Sequence, residues 1–264
     1  MLRDSALRCR HATPPVTAHH VGSPDFPRAI AGGQAAEVTV RDLQASFVLP
    51  AGALEVVLVR HGSSATFADT AMLDGQSDPN LSARGEIQAA ALATVLSQYA
   101  SSRVALFVTP MRRTAQTASP TALALDATPT VIDELREVGL GQLEGLEFEL
   151  RRRADDPLLR RAFDAERWDV LPGAESMTAF AARVSAGMTK VSAAVPPSST
   201  AIVFTHGGVI AEVCRQVTGS TPFAFTDVEN GSLTRFTVGI DGRWRLRSFN
   251  DTAHLPEAGL AETR

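Results

Sequence analysis

The sequence predicts an α/β fold: a mostly parallel central sheet flanked by helices on both faces, with a small helical cap. Three observations carry that expectation. Val56-Val57-Leu58-Val59, Val104-Ala105-Leu106-Phe107-Val108 and Ala201-Ile202-Val203-Phe204 are short, unbroken apolar runs, the pattern of strands buried on both faces. Segments with apolar residues at helical spacing separate them. Two of the runs end alike, in Arg60-His61-Gly62 and in Thr205-His206-Gly207-Gly208. Ligands of open α/β sheets gather beyond the carboxyl ends of the strands, so these endings mark the candidate site.

Composition sets bounds. A chain of 264 residues can bury one sizeable core, or one core and a small cap. Its hydrophobic fraction of 44% is that of a globular protein. No apolar run approaches the roughly 18 residues that would span a membrane, so no membrane partner is expected. A net charge of −4 gives no nucleic-acid footprint. Cys9 and Cys214 form neither a disulfide framework nor a metal-ligand spacing, which points to a reducing, cytoplasmic compartment.

Taken in order, residues 1–34 are crowded with arginine, proline and histidine and lack periodicity. They read as a disordered extension, followed by a single domain over 35–264. Val38, Val40, Leu43 and Phe47 suggest an added strand or hairpin within residues 35–50. Residues 63–80 form a long loop rich in turn formers, Asp74-Gly75-Gln76-Ser77-Asp78-Pro79-Asn80 among them. Ser82 then serves as the N-cap of a helix. Ile87, Ala91 and Val95, with Leu92, Leu96 and Tyr99, make its apolar face.

Thr109-Pro110 after the second apolar run reads as an N-cap with proline at the first helical position. Arg112 and Arg113 fall in that first turn, where cations oppose the helix dipole. The placement makes sense if an anion binds there, with one of the two arginines turned inward. Val131-Ile132 is a short strand. Residues 134–145 carry Gly139, Gly141 and Gly145 among Glu134, Glu137 and Glu144, the mark of a shaped loop. Residues 145–171 are helical and charged and form the cap. Its arginines read first as a solvated surface and otherwise as selectors of an anionic substrate. Phe180, Val184, Met188 and Val191 share one helix face. A helix starts near Val209, and Gly239-Ile240-Asp241-Gly242 joins a closing hairpin.

Parallel strands would deliver Arg60, His61, one inward arginine and His206 to one sheet edge. Two arginines and two histidines beside helix N-termini suit a phosphoryl group. A neutral imidazole can attack phosphorus and carry the group covalently. The leaving alkoxide needs an acid, and Glu137 in its glycine-flanked loop is the best placed. No carboxylate cluster or His-x-x-x-His spacing predicts a metal, and no cofactor is expected.

These residues resemble the histidine phosphatase superfamily, the phosphoglycerate mutase-like fold. The resemblance runs from about Val56 to His254. Its blocks are Leu58-Val59-Arg60-His61-Gly62, then Asp74 through Gly85 with Gln88-Ala89, then Thr109-Pro110-Met111-Arg112-Arg113 with Gln116-Thr117-Ala118. Leu135-Arg136-Glu137 with Gly141-Gln142-Leu143-Glu144-Gly145, Pro172-Gly173-Ala174-Glu175-Ser176 with Arg183, and Thr205-His206-Gly207-Gly208 follow in order. The resemblance implies His61 as phosphohistidine nucleophile and Glu137 as acid and then base. It makes Arg113 the inward arginine and His206 the second pocket histidine. Arg60, Ser64, Gly75, Arg113 and Gly207 become the implied contacts to a small-molecule phosphomonoester, and a homodimer stays open. Phe67 stands where the family often has asparagine, and Leu140 where mutases carry an aromatic. Leu140, the short segment 145–172 and the match at Gly141 to Gly145 favour a phosphatase. Phosphoglycerate mutase-type transfer and a non-catalytic phospho-ligand-binding protein are the alternatives.

Overall fold

The computed structural model describes residues 47–65, 71–99 and 101–257. The expected extension over 1–34, most of the strand expected within 35–50, and Phe67 lie outside these. Residues 47–50 are not part of a strand; the Phe47 ring lies 3.7 Å beneath the Arg247 guanidinium.

The main sheet has six strands: β1 (Leu54–Arg60), β4 (Val104–Val108), β5 (Thr130–Val131), β6 (Thr200–Thr205), β7 (Leu233–Val238) and β8 (Trp244–Asp251). Their order is β5-β4-β6-β1-β7-β8. β5, β4, β6 and β1 are parallel, and β7 and β8 close the sheet antiparallel. Alternation along β1 feeds two cores. Val56 and Leu58 face α5 (Met177–Ala193) and α6 (Gly207–Thr218), meeting Phe180, Val184, Met188, Val209 and Val213. Val57 and Val59 face α1 (Ala83–Leu96) and α2 (Arg112–Leu125), meeting Leu92, Leu96, Ala118 and Leu125. Each fully buried Val or Leu of β1 is worth about 1.5–3 kcal/mol in transfer free energy.

The last parallel strand is inserted between the first two. β6 lies between β1 and β4, with Arg60 paired to Thr205 and Val108 to Phe204. The residues just past the three strand ends therefore stand side by side.

Two sequence expectations are corrected. The buried face of α1 is Gly85, Gln88, Ala89, Leu92 and Leu96, while Ile87 is 41% exposed. A polar residue takes the core side because Gln88 Oε1 accepts the Ser63 backbone N–H at 2.8 Å. Thr109-Pro110 does not cap α2, whose N-cap is Met111 with no side-chain cap bond of its own. The cap oxygen comes from elsewhere: Asp78 Oδ1 accepts the Arg112 N–H at 2.8 Å. The loop 63–80 also holds a small hairpin, β2 (Met72–Leu73) with β3 (Gln76–Ser77). Its two-residue turn, Asp74-Gly75, has φ of 49° and 81°, the type I′ geometry that hairpins favour.

The segment 145–171 contains two short helices, α3 (Leu146–Arg153) and α4 (Pro157–Asp164), and a 3-10 turn (Trp168–Val170). Leu143, Leu159, Ala162 and Leu171 form its own small core.

Candidate active site

His61 follows β1 and is 8% exposed. Its backbone N–H donates to Thr205 O at 3.0 Å, and its carbonyl accepts from Asn230 Nδ2 at 2.9 Å. Gly62 N–H donates to Thr117 Oγ1 at 2.9 Å. The packing behind is tight. A Cβ on Gly62 would lie 2.6 Å from Gly85 O, and one on Gly85 would lie 2.1 Å from Ser63 O. Glycine is required at both places for the first turn of α1 to pass so close.

The His61 ring is fixed by two contacts. Nδ1 lies 2.8 Å from Gly62 O. A carbonyl only accepts, so Nδ1 carries the proton and Nε2 the lone pair. Arg113 Nε donates to that Nε2 at 3.3 Å. Arg113 is 7% exposed, and its Nη1 donates to Ser77 O at 2.8 Å. Its neighbour Arg112 is on the outside, paired with Asp78 at 3.4 Å.

His206 follows β6, fully buried, its ring 5.2 Å from that of His61 at 62°. Its Nε2 is 3.0 Å from Thr109 Oγ1, which is 2.9 Å from Thr114 Oγ1. Its Nδ1 is buried with no protein partner. Arg60 donates through Nη1 to Val228 O. A Cβ on Gly207 would come within 3.4 Å of Arg60 Nε. Glu137 reaches the same helix end: its Oε2 accepts the Gly208 N–H at 3.1 Å and its Oε1 the Val138 N–H at 2.9 Å.

Burial, then the charges of Arg113 and Arg60, hold the His61 pKa well below its ordinary value. Burial and the same arginines, with His61 itself, do so for His206. Burial also lowers Arg113, which Glu137, Asp78 and Glu144 counter. The cluster is thus two neutral imidazoles between two guanidinium cations and one carboxyl group, a setting for nucleophilic attack on an anionic centre.

Arg60, His61, Arg113, Glu137, His206 and Gly207 come together as the sequence predicted. Ser64 lies three residues past His61 and bridges to Leu81. Gly75 is at the exposed hairpin turn, with open space around it. The sequence reading assigned no role to the scaffold behind the site: Gln88, Thr109 and Thr117 stood in the matched blocks, and Thr114 and Asn230 were not singled out. A signal existed, since Thr114, Thr117 and Thr121 repeat on the buried face of α2 where apolar residues are usual. Among the described residues no group of His, Cys, Asp and Glu is placed to hold a metal ion, and no helix is long and apolar enough to cross a membrane.

Residues 56–252 match the histidine phosphatase superfamily (branch 1). The chain belongs to that superfamily. It is an enzyme of the histidine phosphatase type. It is 28% identical over 218 residues to a metal-independent phosphoserine phosphatase of Arabidopsis thaliana, a match covering 79% of this chain and 86% of the relative. It is 26% identical over 215 residues to a probable phosphoglycerate mutase of Salmonella paratyphi C, covering 79% and 98%. Among solved structures it resembles a mycobacterial glucosyl-3-phosphoglycerate phosphatase, with TM-score 0.62 and 27% identity over 74% of this chain and 98% of that one.

Proposed function

We propose that this histidine phosphatase is a metal-independent phosphomonoesterase that passes the phosphoryl group through His61, on a small phosphorylated metabolite in the cytoplasm. The observation that carries the reading is the His61 ring, neutral, with its proton held on Gly62 O and its Nε2 lone pair turned to Arg113.

In the first step Nε2 attacks phosphorus, the P–O ester bond breaks, and Glu137 gives its proton to the leaving oxygen. Phosphohistidine and a Glu137 carboxylate result. In the second step the carboxylate takes a proton from water as the water oxygen attacks phosphorus. The P–N bond breaks, inorganic phosphate leaves, and His61 and Glu137 return to their starting states. Arg60 and Arg113 hold the phosphoryl oxygens throughout. A phosphoryl oxygen would also supply the acceptor that His206 Nδ1 lacks.

Hydrolysis is favoured over transfer by Leu140 after the donor-loop glutamate and by the short cap. Three cap arginines are occupied: Arg151 pairs with Glu147 and Asp156, and Arg152 and Arg153 with Glu149. The names of its relatives set the panel to test: phosphoserine, phosphoglycerates and glucosyl-3-phosphoglycerate.

The test is release of inorganic phosphate from that panel with EDTA present, for wild type and His61→Ala. Release that survives EDTA and disappears in the variant is expected. Phosphate moved between carbons without release would favour the mutase. An active His61→Ala enzyme would refute the nucleophile.

A further inference from the structure

Glu137 sits on a loop, yet a general acid must stand within hydrogen-bond reach of the leaving oxygen. One side chain on the opposite helix binds that loop at three carbonyls. Arg183 of α5 uses all five of its guanidinium N–H groups. Nη1 donates to Glu134 O at 2.9 Å and to Arg136 O at 2.6 Å, and Nη2 to Glu137 O at 2.8 Å. Nε and Nη2 each donate to one oxygen of Glu175 at 2.7 Å. Glu175 in turn binds the loop beyond Glu137: its N–H donates to Gly139 O at 2.8 Å, and its Oε2 accepts from Gly139 N at 3.4 Å. The Phe180 ring lies 4.8 Å from the guanidinium carbon and closes one of its faces. A single ion pair therefore fixes the backbone on both sides of Glu137, while Val138 N and Gly208 N fix its carboxyl group.

We infer that Arg183, clamped by Glu175, is the positioning residue of the proton-transfer step: it sets where the Glu137 carboxyl stands relative to the leaving oxygen. The inference rests on the role proposed for Glu137. Arg183 touches neither His61 nor the arginines of the phosphate pocket in any bond described above. Its loss should therefore disturb protonation of the leaving group and spare attack on phosphorus. A lysine has no planar fork and cannot reach three carbonyls and a carboxylate together.

This separates a positioning role from a merely structural one. An alkyl phosphate leaves as a strong base and needs the acid. A dinitrophenyl phosphate leaves as a weak base and does not. Arg183→Lys and Glu175→Gln should be compared with Glu137→Gln on the best alkyl ester of the panel and on 2,4-dinitrophenyl phosphate. Turnover of the alkyl ester should fall about 10²-fold, the cost of misplacing a reacting group by about 1 Å. Dinitrophenol release in a single turnover, with enzyme in excess, should keep its wild-type rate. That is the pattern expected of Glu137→Gln. Circular dichroism checks that each variant is folded, and Glu175→Gln carries the test if Arg183→Lys is not. An equal loss in the single-turnover release of dinitrophenol, or no loss on the alkyl ester, would overturn the inference. Wild-type single turnovers in which no phosphohistidine can be trapped would instead contradict the phosphohistidine reading, so the two failures are distinct.

Discussion

His61 shows how the residue scale works. The imidazole is a useful nucleophile only if it is neutral and oriented, and separate contacts see to each. Burial and two arginines suppress its protonation, and the Gly62 carbonyl fixes the tautomer. In the free enzyme, imidazole NMR should find His61 and His206 neutral at pH values well below 6.5, the ordinary value. A titration at or above 6.5 would contradict the electrostatics described here. The same shifts govern stability. Above pH 6.5 both rings are neutral in either state. Below it the unfolded chain binds protons that the folded chain excludes, so stability falls with pH, by up to about 1.4 kcal/mol per unit for each ring. The melting temperature of His61→Gln should therefore drop less steeply between neutral and acid pH than that of wild type.

At the scale of elements, the site is built where short segments cross at close range. The first turn of α1 passes the backbone beyond His61 so closely that a Cβ on Gly85 meets Ser63 O at 2.1 Å. Gly85→Ala should cost about 1–3 kcal/mol in thermal denaturation, and kcat should fall as the Gly62-Ser63 backbone shifts. Unchanged stability and kcat would show that α1 can move away freely. The β2–β3 hairpin ties the hairpin side of the site to the donor loop: Gln76 Nε2 donates to Glu137 O at 2.8 Å, and Arg136 pairs with Asp74 at 2.9 Å. The strands of the main sheet were legible because unbroken apolar runs are a strong local signal. The hairpin has only two residues in each strand, too few for alternation to show, and only Asp74-Gly75 marked it. The face of α1 was misjudged for a related reason. Hydrophobicity alone cannot report that the backbone N–H of Ser63 needs Gln88 more than the core needs Ile87.

At the scale of the whole molecule, topology brings the site together. Inserting β6 between β1 and β4 places His206 beside His61 and Thr109, residues far apart in sequence. The ends of the strands announced His61 and His206, because a polar residue and glycine after an apolar run are conspicuous. The arrangement of supporting groups could not be read, since Thr109, Asn230 and Arg183 act through contacts made only once distant segments meet. The cap is a separate satellite with its own small core. Arg151, Arg152 and Arg153 are engaged with acids on the same surface, where solvent screens each pair. Arg153→Ala should leave kcat/KM unchanged on every ester of the panel, and a loss confined to multiply charged esters would show that the cap selects substrate.

If His61 carries the phosphoryl group, the group must be found on it during turnover. The most direct measurement is rapid mixing of enzyme with a phosphate-labelled ester, an alkaline quench that preserves phosphohistidine, and mapping of the label by mass spectrometry. A transient label on Nε2 of His61 is expected, forming and decaying at rates consistent with turnover, and none in His61→Ala. Turnover with no labelled intermediate, or with the label on another residue, would contradict that role of His61.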